Sequence, residues 1–360
     1  MNVITENSEK FLAQYLNNTS PTGFEMPGQK LWLEYIKPYI DEYKVDNYGT
    51  VYGVINPTSD YRVVIEAHAD EISWYVNYIT KDGYIKVIRN GGSDHIIAPS
   101  KRVNIHTEKG LVRGVFGWPA IHTRQGEDAK LSPTLDNIFI DIGAANKEEV
   151  EEMGVHVGCV ITFDDNLEII NNRYYTGRAL DNRIGGFCIA EVARLLHENN
   201  IKLPFALYIV NAVQEEVGLR GAQMITDTIK PHVAIVTDVS HNTYTPLVKS
   251  EKYGDIKGGD GPDLTFAPAV HNNLLRLIMN TAKEKEIPYQ RSASSRVTGT
   301  DTDAFAYSNG GVPSALISLP LKYMHTTVEM AHKDDVANVI RLIYETLQRI
   351  EYKQDFRYFK

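Results

Sequence analysis

From Gly177 to the C-terminus, short apolar runs alternate with stretches of helical periodicity, and this alternation constrains the fold more than any other feature of the chain. "PFALYIVNAV", "HVAIVTD" and "PSALISLP" read as buried strands. Between and after them, "IGGFCIAEVARLLHENN", "GLRGAQMITDTI", "NNLLRLIMNTAKEKE" and "DDVANVIRLIYETLQRIE" read as helices, the last capped by Asp334. In the first of these, Ile184, Phe187, Cys188, Val192, Leu195 and Leu196 fall at helical spacing. Such alternation predicts an α/β fold, a sheet flanked by helices on both sides. The N-terminal part contributes a helix with Phe11, Leu12, Tyr15 and Leu16 on one face, a second helix over 28–43, and the strands "TVYGVIN" and "RVVIEAH".

Between Ile72 and Tyr175 the texture changes to short β-like runs separated by Gly, Asp and Asn turns. That stretch predicts a mostly β unit, a small barrel or sandwich, with one helix in "NKEEVEEMG" that starts on Asn146 as N-cap and stops at Gly154. It leaves the α/β part after the strand ending at His68 and returns before Gly177. The expected organisation is therefore a discontinuous domain, 1–71 and 176–360, carrying an inserted β-rich domain over 72–175.

A chain of 360 residues is long enough for two cores. Its net charge of −9 argues against nucleic acid as a partner, since phosphate binding wants a basic surface, and it suits a protein that holds divalent cations with carboxylates. Cys159 and Cys188 are far apart, in no C-x-x-C pair, and read as buried thiols of a reducing compartment. The N-terminus has neither a basic n-region nor an apolar h-region, and no apolar run approaches the roughly 18 residues that span a bilayer. The expectation is a cytoplasmic protein with no membrane partner.

Ligand sites in α/β sheets form beyond the carboxyl ends of the strands. There, "VVIEAHADE" delivers His68 and Asp70, "YIVNAVQEE" delivers Glu215 and Glu216, "VAIVTDVSH" delivers Asp238 and "ISLPLKYMHTTVE" delivers His325; the loop in "YTGRALDNR" adds Asp181. Each residue alone has a blander reading: a hydrogen-bonded surface histidine, a helix cap for Asp181, a solvated loop for the paired glutamates. Together, two histidines and five acids on one edge of one sheet point to a centre for two divalent ions. Imidazole and carboxylate without thiolate suit zinc, cobalt or manganese. One Asp can bridge two ions while a His and an acid complete each, leaving Asp70 and one glutamate over. Adjacent residues in an extended segment point opposite ways, so one of Glu215 and Glu216 can bind metal while the other accepts a proton from water. Asp70, two residues after His68, can orient its imidazole.

In order, "AHADEI", "GRALDNR", "VQEEVGLRGA", "VTD" and "YMHTTVE" resemble the TET-type (deblocking, or glutamyl) aminopeptidases, and the likeness extends to "DIGAANKEEVEEMGVHVG" and "GTDTDAF". Ala69 and Ser73 stand where that family usually has Met and Gly. The resemblance implies a metallopeptidase domain of the phosphorylase/hydrolase-like type with an inserted dimerisation barrel, and dimers assembling into a tetrahedral dodecamer. It implies that His68 and Asp238 hold one metal, Glu216 and His325 the other, and that Asp181 bridges them. Glu215 would be the general base and Asp70 would orient His68. The implied activity is release of N-terminal residues from short peptides by a metal-activated water. The loops "KGGDGPDL" and "GTDTD" would line the pocket for the first side chain, where Asp260, Asp301 and Asp303 would either favour a basic or neutral residue or be solvated. Rival readings are a related di-metal carboxypeptidase or N-acyl deacylase, a glycoside hydrolase using paired acids, and a non-catalytic peptide-binding scaffold.

Overall fold

A computed structural model describes residues 3–126 and 130–359. The chain enters through the helices Glu6–Asn17 and Met26–Ile36. The second is shorter than periodicity predicts, because Pro38 falls in a 3-10 turn, Lys37–Tyr39, and the chain then becomes the edge strand β1 (Glu42–Val45). β2 (Val51–Ile55) and β3 (Arg62–His68) follow. The next six strands are β4 (Ser73–Ile79), β5 (Ile85–Asn90), β6 (Arg102–Thr107), β7 (Gly110–Phe116), β8 (Ile140–Asp141) and β9 (Val160–Phe163). Then come β10 (Glu168–Ile170), β11 (Tyr174–Gly177), β12 (Ala206–Ala212), β13 (Val233–His241), β14 (Asp263–Phe266), β15 (Gln290–Ala293), β16 (Ser314–Lys322) and β17 (Glu329–His332).

Among the described residues these form two sheets. β4 to β9 close into an antiparallel barrel in the order β4-β5-β8-β7-β6-β9, around a core of its own that includes Trp74, Phe116, Ile105 and Ile161. All other strands join one mixed sheet whose main path runs β1-β2-β12-β3-β13-β16-β17-β11-β10. Its four central strands, β12, β3, β13 and β16, are parallel. They read as nearly continuous apolar runs because helices cover both faces, so alternation would bury polar side chains.

The helix Leu180–Glu198 lies against β3 and is packed over by the helices Glu6–Asn17, Met26–Ile36 and Lys333–Leu347. Enclosure on all sides explains why its polar positions Glu191 and Arg194 are buried too; they pair at 2.7 Å. The closing helix, Lys333–Leu347, is capped by the His332 side chain, which accepts the amide of Asp334, rather than by Asp334. No helix of the described residues is long and apolar enough to cross a membrane. Cys159 and Cys188 are both free and buried.

Parallel strands share one carboxyl edge. β12, β3, β13 and β16 are neighbours, so whatever follows or ends these four strands converges there.

Candidate metal centre

β3 ends on His68, and Ala212 of β12 lies in register beside it, three residues before Glu215. Asp238 is on β13, opposite Ser318 of β16, and His325 follows three residues after β16 ends. Asp181 arrives from the other side, at the start of the helix Leu180–Glu198, where Ala179 is left-handed (φ 59°) and the Asp181–Asn182 peptide is cis. Asp181 itself has non-helical backbone angles (φ −79°, ψ 111°), so its carboxylate stands outside the helical ladder.

The Asp181 carboxylate stands between the two imidazoles. Its Oδ1 is 3.2 Å from His68 Nε2 and its Oδ2 is 3.2 Å from His325 Nε2. Asp238 Oδ1 and Glu215 Oε2 each lie 3.8 Å from His68 Nε2, and Glu216 Oε2 lies 3.5 Å from His325 Nε2. Ligand atoms of His68, Asp181 and Asp238 all fall within 4.8 Å of one another, as do those of Asp181, Glu216 and His325; a third such group joins His68, Glu215 and Glu216. All seven sequence-predicted residues meet at this place, with Asp70 beneath the others.

Asp70 touches more than the imidazole. Its backbone oxygen is 3.2 Å and its Oδ1 is 3.4 Å from His68 Nδ1. The same carboxylate accepts the amides of Glu215 (3.0 Å) and Glu216 (3.2 Å) and the hydroxyl of Thr22 (2.9 Å). It therefore ties the end of β3 to the turn after β12.

Glu329 does the same across the centre: its two oxygens accept the amides of Asp181 (3.1 Å) and His325 (2.8 Å). Sequence reading gave Glu329 and Thr22 no role, although Glu329 stands four residues after His325 in the same motif. The two arginines of "GRALDNR" also go unread there; Arg178 pairs with the buried carboxylate of Glu71, and Arg183 stacks on Tyr15 at 4.2 Å. Gly92, in the loop after β5, brings the barrel against the centre. A Cβ there would sit 2.5 Å from His325 Nδ1, so a glycine is required for that approach.

The electrostatics are those of a site short of positive charge. Burial works against a charged His68, yet the Asp181 and Asp70 carboxylates override it and hold the imidazole well above its ordinary pKa. Burial would raise Asp181, but its hydrogen bonds to His325 and His68 hold it below the usual carboxylate range. The remaining acids move the other way. Burial, reinforced by neighbouring carboxylates, pushes Glu215 up to about 10 and Asp238 up to about 7, and lifts Glu216 and Glu329 well above the ordinary value. Six carboxyls, those of Asp70, Asp181, Glu215, Glu216, Asp238 and Glu329, against two imidazoles leave uncompensated negative charge, which is costly in a low dielectric. Two divalent cations, one on each side of Asp181, fit both the charge and the oxygen and nitrogen donor set.

The centre opens into a cavity of about 690 Å³. The acids expected along it are distributed differently from the sequence reading. Asp260 is exposed and paired with Lys257 at 3.3 Å. Asp301 is buried against Glu66 and does not line the cavity; burial and Glu66 push it well above the ordinary value. Asp303 lines the cavity, but its carboxylate is engaged by the amides of Thr298 and Gly299. Asp263, which sequence reading passed over, is in the wall.

Comparison with known proteins agrees with this geometry. The family model described as M42 glutamyl aminopeptidase matches residues 49–342. The lysyl aminopeptidase of Pyrococcus furiosus is 33% identical over 344 residues, which cover 95% of this chain and 97% of the relative. The crystal structure of a TET aminopeptidase from a marine sediment archaeon of the Thaumarchaeota superposes with a TM-score of 0.92 at 32% identity, covering 96% of this chain and 97% of that one. The TET peptidase of Pyrococcus horikoshii, described as assembling into a tetrahedron or a large octahedral shell, superposes with a TM-score of 0.83 at 28% identity, covering 94% and 98% of the two chains.

Proposed function

The chain belongs to the M42 glutamyl aminopeptidase family, a di-metal aminopeptidase, and from that premise we propose a role for each residue of its site. His68 and Asp238 would hold one ion and Glu216 and His325 the other, with the Asp181 carboxylate shared between them. The observation that carries this assignment is the placement of the two Asp181 oxygens, each 3.2 Å from a different imidazole. Two bound ions would supply Lewis acidity toward the scissile carbonyl and lower the pKa of water. Zinc is the ion we favour; cobalt and manganese accept the same donors.

The protein's own part is proton transfer and positioning. Glu215 faces the His68 side of the centre with no metal assigned to it. It takes the proton of the attacking water and returns it to the leaving amine. Asp70 fixes the His68 ring and, through the two amides it accepts, the spacing of Glu215 and Glu216. Glu329 holds Asp181 and His325 in the same manner.

A carboxypeptidase or a deacylase would need a cation for the substrate carboxylate. Among the described residues that line the cavity there is no lysine or arginine, which favours the aminopeptidase reading. Residues 72–175 are the inserted unit, and we assign dimerisation to them, with assembly into a tetrahedral dodecamer and short peptides as substrates.

The test is chelation, reconstitution and substitution. Two ions per chain are expected by elemental analysis, with hydrolysis of aminoacyl anilides lost on chelation and restored by zinc, cobalt or manganese. Glu215→Gln should retain both ions while losing on the order of 10²–10⁴-fold in rate. Activity that survives chelation refutes the metal mechanism, and near-normal activity in Glu215→Gln removes that residue from its role.

A further inference from the structure

The wall of the cavity away from the metal centre carries a carboxylate with no ion-pair partner among the described residues. Asp263 lies on β14 and is 1% exposed. Its Oδ2 accepts the Ser292 hydroxyl at 2.8 Å, while its Oδ1 has no hydrogen-bond partner among the described residues. The hydroxyls of Ser318 and Ser240, which line the same cavity, likewise find no hydrogen-bond partner within bonding distance among the described residues, and Ser240 stands close enough to Asp263 to favour its charged form. Buried polar atoms are nearly always paired, so this group of three is prepared for something that is not part of the chain.

Register fixes where the group lies. Asp238 of β13 is opposite Ser318 of β16, and Ser318 is opposite Asp263 of β14. Directly paired residues share a face, so a metal-centre carboxylate, a serine hydroxyl and Asp263 form one row across three strands. Ser240, two residues after Asp238, projects on the same side of β13. Two interstrand steps put the Asp263 backbone about 10 Å from that of Asp238. An extended lysine carries its ammonium roughly 6 Å from its own Cα, which bridges the interval when the scissile carbonyl is at the ions. An ammonium has three donors, and Asp263 Oδ1, Ser318 Oγ and Ser240 Oγ, all on residues that line this cavity, are three acceptors. Ile256, Leu316 and Val239 offer apolar wall for the methylene stem.

We propose that Asp263 selects substrates whose N-terminal side chain is a cation, lysine or arginine. The inference rests on the aminopeptidase reading of the metal centre and adds its substrate class. An N-terminal glutamate would bring a second carboxylate to Asp263 with no lysine or arginine among the described lining residues to answer it. A leucine would cover Asp263 without pairing it, leaving a desolvated acid. Burial raises the pKa of Asp263, and a bound ammonium would supply a charge that favours its ionised form.

The metal-loaded protein should be assayed with lysyl, arginyl, norleucyl and glutamyl anilides. The expected result is a kcat/KM for the lysyl substrate on the order of 10²-fold above that for norleucyl, with glutamyl the poorest. In Asp263→Asn the lysyl-to-norleucyl ratio should fall by a similar factor. As a check that does not depend on the variant's folding, free lysine and free norleucine should also be compared as competitive inhibitors of the unaltered protein, with lysine expected to bind about tenfold more tightly or better. A preference for norleucyl or glutamyl substrate, equal inhibition by the two amino acids, or an unchanged ratio in Asp263→Asn overturns the assignment of Asp263 while leaving the aminopeptidase reading intact. Failure to cleave any of the anilides with both ions bound overturns that reading and this one with it.

Discussion

Replacing Asp70 by Asn changes one atom of a side chain that is assigned no metal, and it should nevertheless disable the enzyme. The Asp70 carboxylate accepts from Glu215 N, Glu216 N and Thr22 Oγ1, and lies 3.4 Å from His68 Nδ1. An amide presents a donor in place of one oxygen. Whichever oxygen is replaced, the amide of Glu215 or of Glu216 then meets another donor. The lost charge-assisted hydrogen bond is worth about 1.5–3 kcal/mol and the orphaned buried N–H about 1–3 kcal/mol. If that cost of about 2.5–6 kcal/mol is expressed in the transition state, the rate falls on the order of 10²–10⁴-fold. The assay is kcat/KM on an anilide substrate at saturating metal, with ion content measured on the same sample. Thr22→Val removes only a neutral donor from the same carboxylate and should cost roughly tenfold or less. An Asp70→Asn protein within threefold of the unaltered enzyme, with both ions bound, would show that the clamp between β3 and the turn after β12 does not govern catalysis.

Two further outcomes follow from the geometry. Without ions, stability should fall as pH rises from about 4 to about 8: Asp238 (about 7), Glu66 (about 8) and Glu25 (about 7) have folded-state values raised above those of the unfolded chain, so only the folded form holds protons in that window. Bound cations displace the protons from the ligands, so the Tm difference between metal-loaded and chelated protein should widen between about pH 5 and about pH 8; a constant or narrowing difference contradicts the charge argument. Gly92→Ala should weaken one ion on the order of 10–100-fold by pressing on His325, read as one tight and one weak site in a metal titration, and two undiminished sites would refute the contact.

Much of this protein is determined by pattern alone. Strand and helix periodicities fix the α/β class, because burying apolar faces leaves few layered arrangements. The polar residues at strand ends mark the carboxyl edge, because buried runs such as "FALYIVNAV" tolerate no ligand within them. The edge strand β1 and the early end of the second helix are not legible in the sequence, since a short exposed strand has no apolar signature and the helical pattern continues past Pro38. Tertiary structure alone decides what the acids do. Asp260, Asp263, Asp301 and Asp303 are chemically identical in the sequence. Folding pairs the first with Lys257, leaves one oxygen of the second without a partner among the described residues in the cavity wall, buries the third against Glu66 and occupies the fourth with backbone amides. A carboxylate's role is set by what neutralises it, and partners distant in the chain are chosen by register and packing, which local sequence does not encode.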